Sequence, residues 1–426
     1  MERIKKLLQE AGISEYIIKQ VNERTAELFF VKKQLDTRRI KDVEKFNITV
    51  YRTAEKDGKK LRAATDATVL AAMTDAEIVS ILRDAYFAAQ FAMNPYYELP
   101  DPVQAPPTEA HGTLAEQAPE QSAGEMAAAL FKADCEEGAF LNSAEVFVVH
   151  KRVHVQSSAG ADVSWTQAEV KGEYVVQARE PEDVEIYRSF EFDALEADAL
   201  TQQAKEALMF VKDRARAQRI LKSGNYDLIL TGENVETVLW FYGDRAEAAM
   251  IYPGYSTWKV GDDVQGETTG ERIDITMKAT HPYSGEGIPM RDRKLLEGGT
   301  LRTVHGANRF CRYLGTEPTG EYHKFSCDNP GTMTFAEMKA RPCLWAVTFS
   351  DFQMDTFSGH LGGEIRLGYL IENGTMTPVT GGSINGSILE AQRDLAFSTE
   401  RYTSQRYEGP YAILLKNIAV AGTEEA

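Results

Sequence analysis

Residues 351–390 read DFQMDTFSGHLGGEIRLGYLIENGTMTPVTGGSINGSILE. Within them, Ile365–Glu372 alternates well enough to predict a strand. Asn373-Gly374 follows, and because both residues tolerate positive φ the pair is the strongest short-range signal for a two-residue hairpin turn. Thr375–Val379 reads as the returning strand, Gly381-Gly382 as its end, and Leu389 as the approximate start of a helix. Upstream, Ser358–Gly363 holds three glycines in six residues, so another backbone can approach it closely. A glycine-lined strand beside a hairpin is a place where an extended peptide could add as a further strand. The plainer reading is a glycine-softened β-bend.

Composition sets the bounds around that stretch. At 426 residues the chain is expected to hold two cores. Hydrophobic residues at 43% and charged residues at 26% are those of an ordinary soluble protein. No run of about 18 apolar residues predicts a membrane span. The opening MERIKKLLQEAG lacks the apolar core and small-residue cleavage site of a secretory signal. Cys135, Cys311, Cys327 and Cys343 form no CxxC pair, which predicts reduced thiols and a cytoplasmic location. A net charge of −17 with no basic cluster argues against a nucleic-acid partner, because it repels phosphate backbones.

Read in order, the sequence predicts short helices over Glu2–Gln9 and Ser14–Asn22. Strands follow at Glu27–Lys32, Asn47–Arg52 and Lys60–Ala64, with Asp57-Gly58 turning the last two into a hairpin. Thr74 and Glu77 form a capping box ahead of Ile78, Leu82, Ala85 and Ala89 at helical spacing, and that helix must stop before Asn94-Pro95. Residues 99–122 turn to Pro, Ala, Glu and Gln and read as a surface loop or lid. After a helix over Gly124–Cys135 come strands at Ala144–His150, His154–Ser157, Val163–Val170, Tyr174–Ala178 and Glu185–Phe192, then a helix within Ala194–Ala217. A boundary is placed near Ser223-Gly224-Asn225. The next elements are a strand over Tyr226–Thr231 and a helix from Val235 to about Met250. Short β segments with glycine turns follow, including Arg272–Met277, Pro289–Leu296, Thr300–His305, Ala346–Phe349 and Ile413–Val420; Glu297-Gly298-Gly299 marks one hairpin. The expected class is α+β: an N-terminal α/β domain (1–220) with a mixed or antiparallel sheet, and a mostly antiparallel, barrel-like β domain (221–426) with a few helices.

The residues alone name no active site. None of the seven histidines is followed by Glu, so no HExxH or HExxxH helix exists. His150 and His154 lie in a β-rich context, VFVVHKRVHV, where residues four apart stand about 13 Å from each other and cannot share an ion. His323 with Cys327, and His305 with Cys311, have no third and fourth ligand at a recognised spacing. There is no GxSxG elbow and no glycine loop of the Rossmann or P-loop kind. No catalytic residue, metal ligand or cofactor is therefore assigned.

The order of the C-terminal motifs carries more. His281-Pro-Tyr-Ser-Gly-Glu-Gly-Ile-Pro289 resembles the acidic EGxP turn of the TldD/PmbA family, historically called modulators of DNA gyrase. As in that family, a hairpin ending Glu297-Gly-Gly-Thr-Leu301 follows, then Arg309, Leu314 and Gly315-Thr-Glu-Pro-Thr-Gly320. Phe357-Ser-Gly resembles the family's FSG strand, and Glu364–Gly374 the hairpin after it. Pro410–Gly422 resembles the closing strand, and the meander ELFFVKKQ, ITVYRT, DGKKLRAAT is similar at the N-terminus. The resemblance covers most of the chain, and it lies in the shared order more than in any one motif.

For its catalytic, TldD-type branch the family implies a zinc peptidase with HExxxH on a helix early in the C-terminal domain and a later cysteine ligand. Counting back from Gly254-Tyr-Ser256, the motif's first His, its Glu and its second His fall near Trp240, Phe241 and Arg245, and no small shift creates a histidine. No cysteine follows Cys343. This pattern resembles the PmbA/TldE branch, which implies a non-catalytic, metal-free subunit that pairs with a TldD-like zinc metallopeptidase and handles unfolded peptides. The alternatives are a homodimeric peptide-binding protein without proteolytic activity, and an enzyme using other chemistry through His281, Glu286 or His360. The candidate substrate-binding residues are Phe357, Ser358, Gly359, His360, Gly362, Gly363, Glu364 and Glu286. The resemblance also raises the standing of strand addition along Phe357–Glu364.

Overall fold

The computed structural model describes residues 1–135 and 137–423. α1 (Glu2–Glu10) buries Ile4, Leu7 and Leu8, the i, i+3, i+4 stripe that its sequence presents. β1 (Tyr16–Val31), β2 (Gln34–Lys56) and β3 (Lys59–Leu70) form an antiparallel meander. Its second turn, Asp57-Gly58, takes φ of 51° and 71°, as a two-residue hairpin turn requires. α2 (Asp75–Ala89) opens on the Thr74–Glu77 capping box and stops before β4 (Asn94–Pro95). α3 (Thr113–Glu116) and α4 (Pro119–Ala133) lead into β5 (Phe140–Ser157), β6 (Asp162–Ala178) and β7 (Val184–Phe192), and α5 (Ala197–Ala215) follows. The sheet is antiparallel in the order β4-β3-β2-β1-β5-β6-β7, which leaves β7 at an edge.

Three expectations for this half are corrected. Ser14–Asn22 is not a helix, since β1 runs through it from Tyr16. Ile17 and Ile18 are both buried, on opposite faces of the sheet, in different clusters. Burial on both faces removes the period-2 alternation that marks a strand. The strand pairs expected over residues 144–157 and 163–178 are the single strands β5 and β6. Gly172 interrupts the pattern in β6 for a packing reason: a Cβ there would stand 2.0 Å from the Glu145 carbonyl oxygen and 2.6 Å from the Phe190 ring. Finally, residues 99–122 are not all loop. Gln104 and Thr108 bridge to Asp162 and Trp165, and the last residues are the first turn of α4.

The C-terminal half begins with β8 (Gly224–Thr231), α6 (Glu233–Arg245) and α7 (Ala248–Ile251). β9 (Ile275–Lys278), β10 (Arg293–Glu297), β11 (Thr300–Leu301), α8 (Asn308–Leu314), β12 (Lys324–Cys327) and α9 (Phe335–Lys339) come next. Then follow β13 (Cys343–Met354), β14 (His360–Glu372), β15 (Thr375–Val379), β16 (Ser383–Ser387), α10 (Ile388–Ala391), β17 (Ala396–Phe397), β18 (Arg401–Thr403), β19 (Tyr407–Pro410) and β20 (Ala412–Ala421). Strands β13-β8-β20-β16-β14 pair in that order, and β14 pairs back with β13, so five strands close a barrel. A second, six-stranded sheet runs β11-β10-β9-β12-β19-β18. The Asn373-Gly374 turn is formed as read, with φ of 50° and 76°.

Alternation along the barrel strands decides what lies between the two halves. Leu228, Leu230, Leu344, Ile365 and Ile413 belong to one core, while Ile229, Trp345, Tyr369 and Leu414 belong to another that also holds α4, α5 and the sheet. α5 brings Phe210 to the barrel: its ring lies 5.9 Å from Trp345, which stacks on Tyr369 at 4.8 Å. The barrel and the sheet are therefore joined through α5, with the edge strand β7 beside the barrel wall.

Candidate functional site

Sequence singled out residues 357–364, and the structure places them in the barrel. His360–Glu364 of β14 pairs on one side with β16, from His360 with Ser387 to Glu364 with Ser383. On the other side, Leu361, Gly362 and Gly363 pair with Met354, Gln353 and Phe352 of β13. Strand addition needs an unpaired edge, so it is ruled out along His360–Glu364. The glycines serve internal packing instead: a Cβ at Gly363 would stand 2.7 Å from the Asp351 carbonyl, and one at Gly359 2.9 Å from Leu389. Ser358 donates to Asp355, and His360 Nε2 lies 3.0 Å from Asn385 Oδ1. Phe357 stays exposed, edge-on to Tyr255 at 5.4 Å. Glu286 lies elsewhere; its carboxylate accepts from the Asn308 backbone N–H at 2.8 Å at the start of α8, and burial raises its pKa. His281 stacks on Trp165 at 6.2 Å. These residues do not converge on one pocket.

A cleft with a volume of about 950 Å³ lies between the two halves. One wall is β7, and the other combines α6, the Val347–Phe352 part of β13, and the Tyr402–Arg406 segment. Among the described residues β7 pairs only with β6, so its outer edge is open to the cleft. In an antiparallel ladder alternate residues turn both backbone groups to the same side. The Glu185 carbonyl accepts from the Arg214 side chain and the Tyr187 carbonyl from Arg188, so residues 185, 187, 189 and 191 are the set that faces away from β6. Their N–H groups offer a ladder to an extended chain. On the opposite wall β13 pairs with β8 only through Leu344–Ala346, and its pairing with β14 is shifted by bulges from Ala346 to Phe352. Such bulges re-aim side chains; here Phe349 and Phe352 stack at 4.7 Å and line the cleft.

α6 presents Glu233, Glu236, Thr237, Trp240 and Asp244, spaced to share one face, to the cleft and to a smaller pocket continuous with it. Burial raises the pKa of Glu236, whose carboxylate accepts from Ser404 at 2.8 Å and lies 3.6 Å from Arg406. Burial likewise raises that of Asp244, which accepts from Thr356 at 2.9 Å. Both carboxylates are committed to neighbours within the fold.

The zinc site implied for catalytic relatives does not fit this helix. Trp240 packs between Phe325 and Arg406, Phe241 is buried against Tyr242 and Trp258, and Arg245 donates to the Tyr255 carbonyl at 2.6 Å. None of the three offers a lone pair to a cation. Among the described residues, no group of three His, Cys, Asp or Glu could hold a metal ion.

Comparison with known proteins places this architecture. No curated protein gives a significant match. Solved structures do, three of them over nearly the whole chain as follows. TldE from Thermococcus kodakarensis matches at 17% identity over 99% of this chain and 100% of that one, with a TM-score of 0.76. A candidate modulator of a DNA gyrase from Thermotoga maritima MSB8 matches at 18% identity over 99% of each chain, TM-score 0.73. A candidate modulator of DNA gyrase from Bacteroides thetaiotaomicron VPI-5482 matches at 16% identity over 98% of each, TM-score 0.73. At these identities the likeness is one of fold. Residues 223–422 also match the family model of the PmbA/TldA metallopeptidase C-terminal domain. Residues 223–422 are thus a C-terminal domain of the PmbA/TldD family, and the sheet-and-helix half before it completes the fold that the whole chain shares with these structures.

Proposed function

We propose that this chain is a non-catalytic, metal-free subunit of the PmbA/TldE kind, which binds unfolded peptide and works with a TldD-type peptidase subunit in peptide processing. The observation that carries the reading is the open edge of β7, which faces a cleft whose α6 wall has no metal-donor set. Backbone pairing along such an edge is indifferent to side-chain sequence, which suits a binder of unfolded chains. In this reading residues 1–220 supply the strand edge and residues 221–426 the opposite wall. Peptide adds at β7, the edge left open, and not at β14. Glu364 bonds with Ser350 and Arg366 and so belongs to the cleft rim, while the exposed Phe357 is a contact for peptide leaving it. Ser358, Gly359, His360, Gly362 and Gly363 support that rim, and Glu286 supports α8.

Co-expression with a TldD-type protein from the same genome tests the reading. Stable co-purification is expected, with cleavage of an unfolded peptide by the pair but not by this chain alone. A tight homodimer that binds peptide and ignores the TldD-type protein favours the homodimeric binder instead. One equivalent of zinc retained by this chain after dialysis would refute the metal-free assignment.

A further inference from the structure

Two arginines stand at one end of the β7 edge. Arg214, near the end of α5, donates to the outward Glu185 carbonyl, so its guanidinium sits at the start of β7. Arg366, on β14 beside the bulged Thr348–Phe349 part of β13, lines the same cleft. Tyr369 of β14 donates to Asp213 of α5, which ties these two elements to each other. Among the described residues Arg214 has no carboxylate within ion-pair distance, and Arg366 has only Glu364, at 3.3 Å, on a half-exposed side chain. Burial and the neighbouring Arg366 both lower the Arg214 pKa, with Glu182 and Glu185 offsetting part of that effect. Two guanidinium groups thus line one end of the cleft, with Glu182 and Glu185 the carboxylates that act on Arg214.

Strand direction connects this site to the open edge. β7 runs from Val184 to Phe192, so an antiparallel peptide runs from the Phe192 end to the Val184 end. Its C-terminus then arrives at Arg214 and Arg366. A parallel peptide would bring its N-terminal ammonium group to the same pair and be repelled.

We propose that Arg214 and Arg366 form a carboxylate subsite that captures the C-terminal end of an extended peptide paired antiparallel to β7. The subsite rests on the peptide-binding reading above and adds direction and terminus recognition to it. Planar guanidinium groups suit a carboxylate, which can accept two parallel N–H bonds. The captured carboxylate can come from the chain terminus or from an acidic side chain on the last residue, and both present the same group.

Fluorescence anisotropy with three labelled peptides of one uncharged, extended sequence tests it: a C-terminal free acid, a C-terminal amide, and an amide ending in Glu. The free acid is expected to bind about tenfold more tightly than the plain amide, with the difference lost in Arg214→Gln/Arg366→Gln and reduced by high salt. Restored affinity of the Glu-ending amide supports the subsite with a side-chain carboxylate as its source, and no restoration supports it with the chain terminus. Equal affinity of the free acid and plain amide overturns the subsite but leaves peptide binding standing. No binding of any peptide overturns both readings. The single variant Arg366→Gln keeps the Arg214–Glu185 bond, so an altered acid-to-amide ratio there is not a folding defect.

Discussion

Replacing His305 by glutamine removes a titration that the fold holds far from its usual position. The imidazole is only 5% exposed; its Nε2 lies 2.9 Å from the Gly243 carbonyl of α6, and its Nδ1 has no partner among the described residues. Burial pushes its pKa down to about 4, against an ordinary value near 6.5. Between those values the unfolded chain binds a proton that the folded chain refuses, so stability falls as pH falls. Linkage puts the cost at about 0.8 kcal/mol at pH 6 and about 2 kcal/mol at pH 5. Glutamine can still donate toward Gly243 and does not titrate. Urea unfolding followed by circular dichroism at pH 7, 6 and 5 would give the stability difference between native protein and His305→Gln. Subtracting the two cancels the buried carboxylates common to both. The difference is expected to shift toward the variant by about 2 kcal/mol from pH 7 to pH 5. A difference constant over that range would show that His305 is not held neutral, and would undercut the packing described at the end of α6. This is a matter for the site, because the His305 backbone also bonds to Ala246 and Ala248 just beyond the cleft helix.

Two further substitutions test the cleft and the sheet. Ser189→Pro removes one outward N–H from β7 and places a ring in the path of a paired peptide; an edge strand tolerates proline on its open side. Peptide affinity is expected to fall about tenfold in a titration, while stability changes by about 1 kcal/mol or less. Gly172→Ala drives a methyl group into the Glu145 carbonyl and the Phe190 ring, so a loss of about 3 kcal/mol or more is expected from thermal unfolding.

Much of the fold was legible because its signals are local. The Asp57-Gly58 and Asn373-Gly374 turns, the Thr74–Glu77 capping box and the α1 stripe each depend on residues within a few positions of one another. The errors arose where distant packing overrides the local pattern. Ile17 and Ile18 are buried on both faces by elements far apart in the chain, so their strand lost its alternation. The stretch Ser358–Gly363 shows the same limit. Three glycines over Ser358–Gly363 signal that something approaches closely, but not whether it is a ligand or the protein's own β13 and β16. Nothing in VEIYRSFEF marks β7 as an edge, since that follows from the order in which seven strands assemble. That α6 carries no HExxxH was readable from residue identity alone, whereas the packing of Trp240, Phe241 and Arg245 required the structure.

Hydrogen exchange of the backbone amides, with and without saturating unfolded peptide, tests the central claim most directly. If peptide adds to β7, the amides of Tyr187, Ser189 and Glu191 become protected, while the already paired amides of His360–Glu364 change little. Protection at other segments with β7 unaffected would contradict the account.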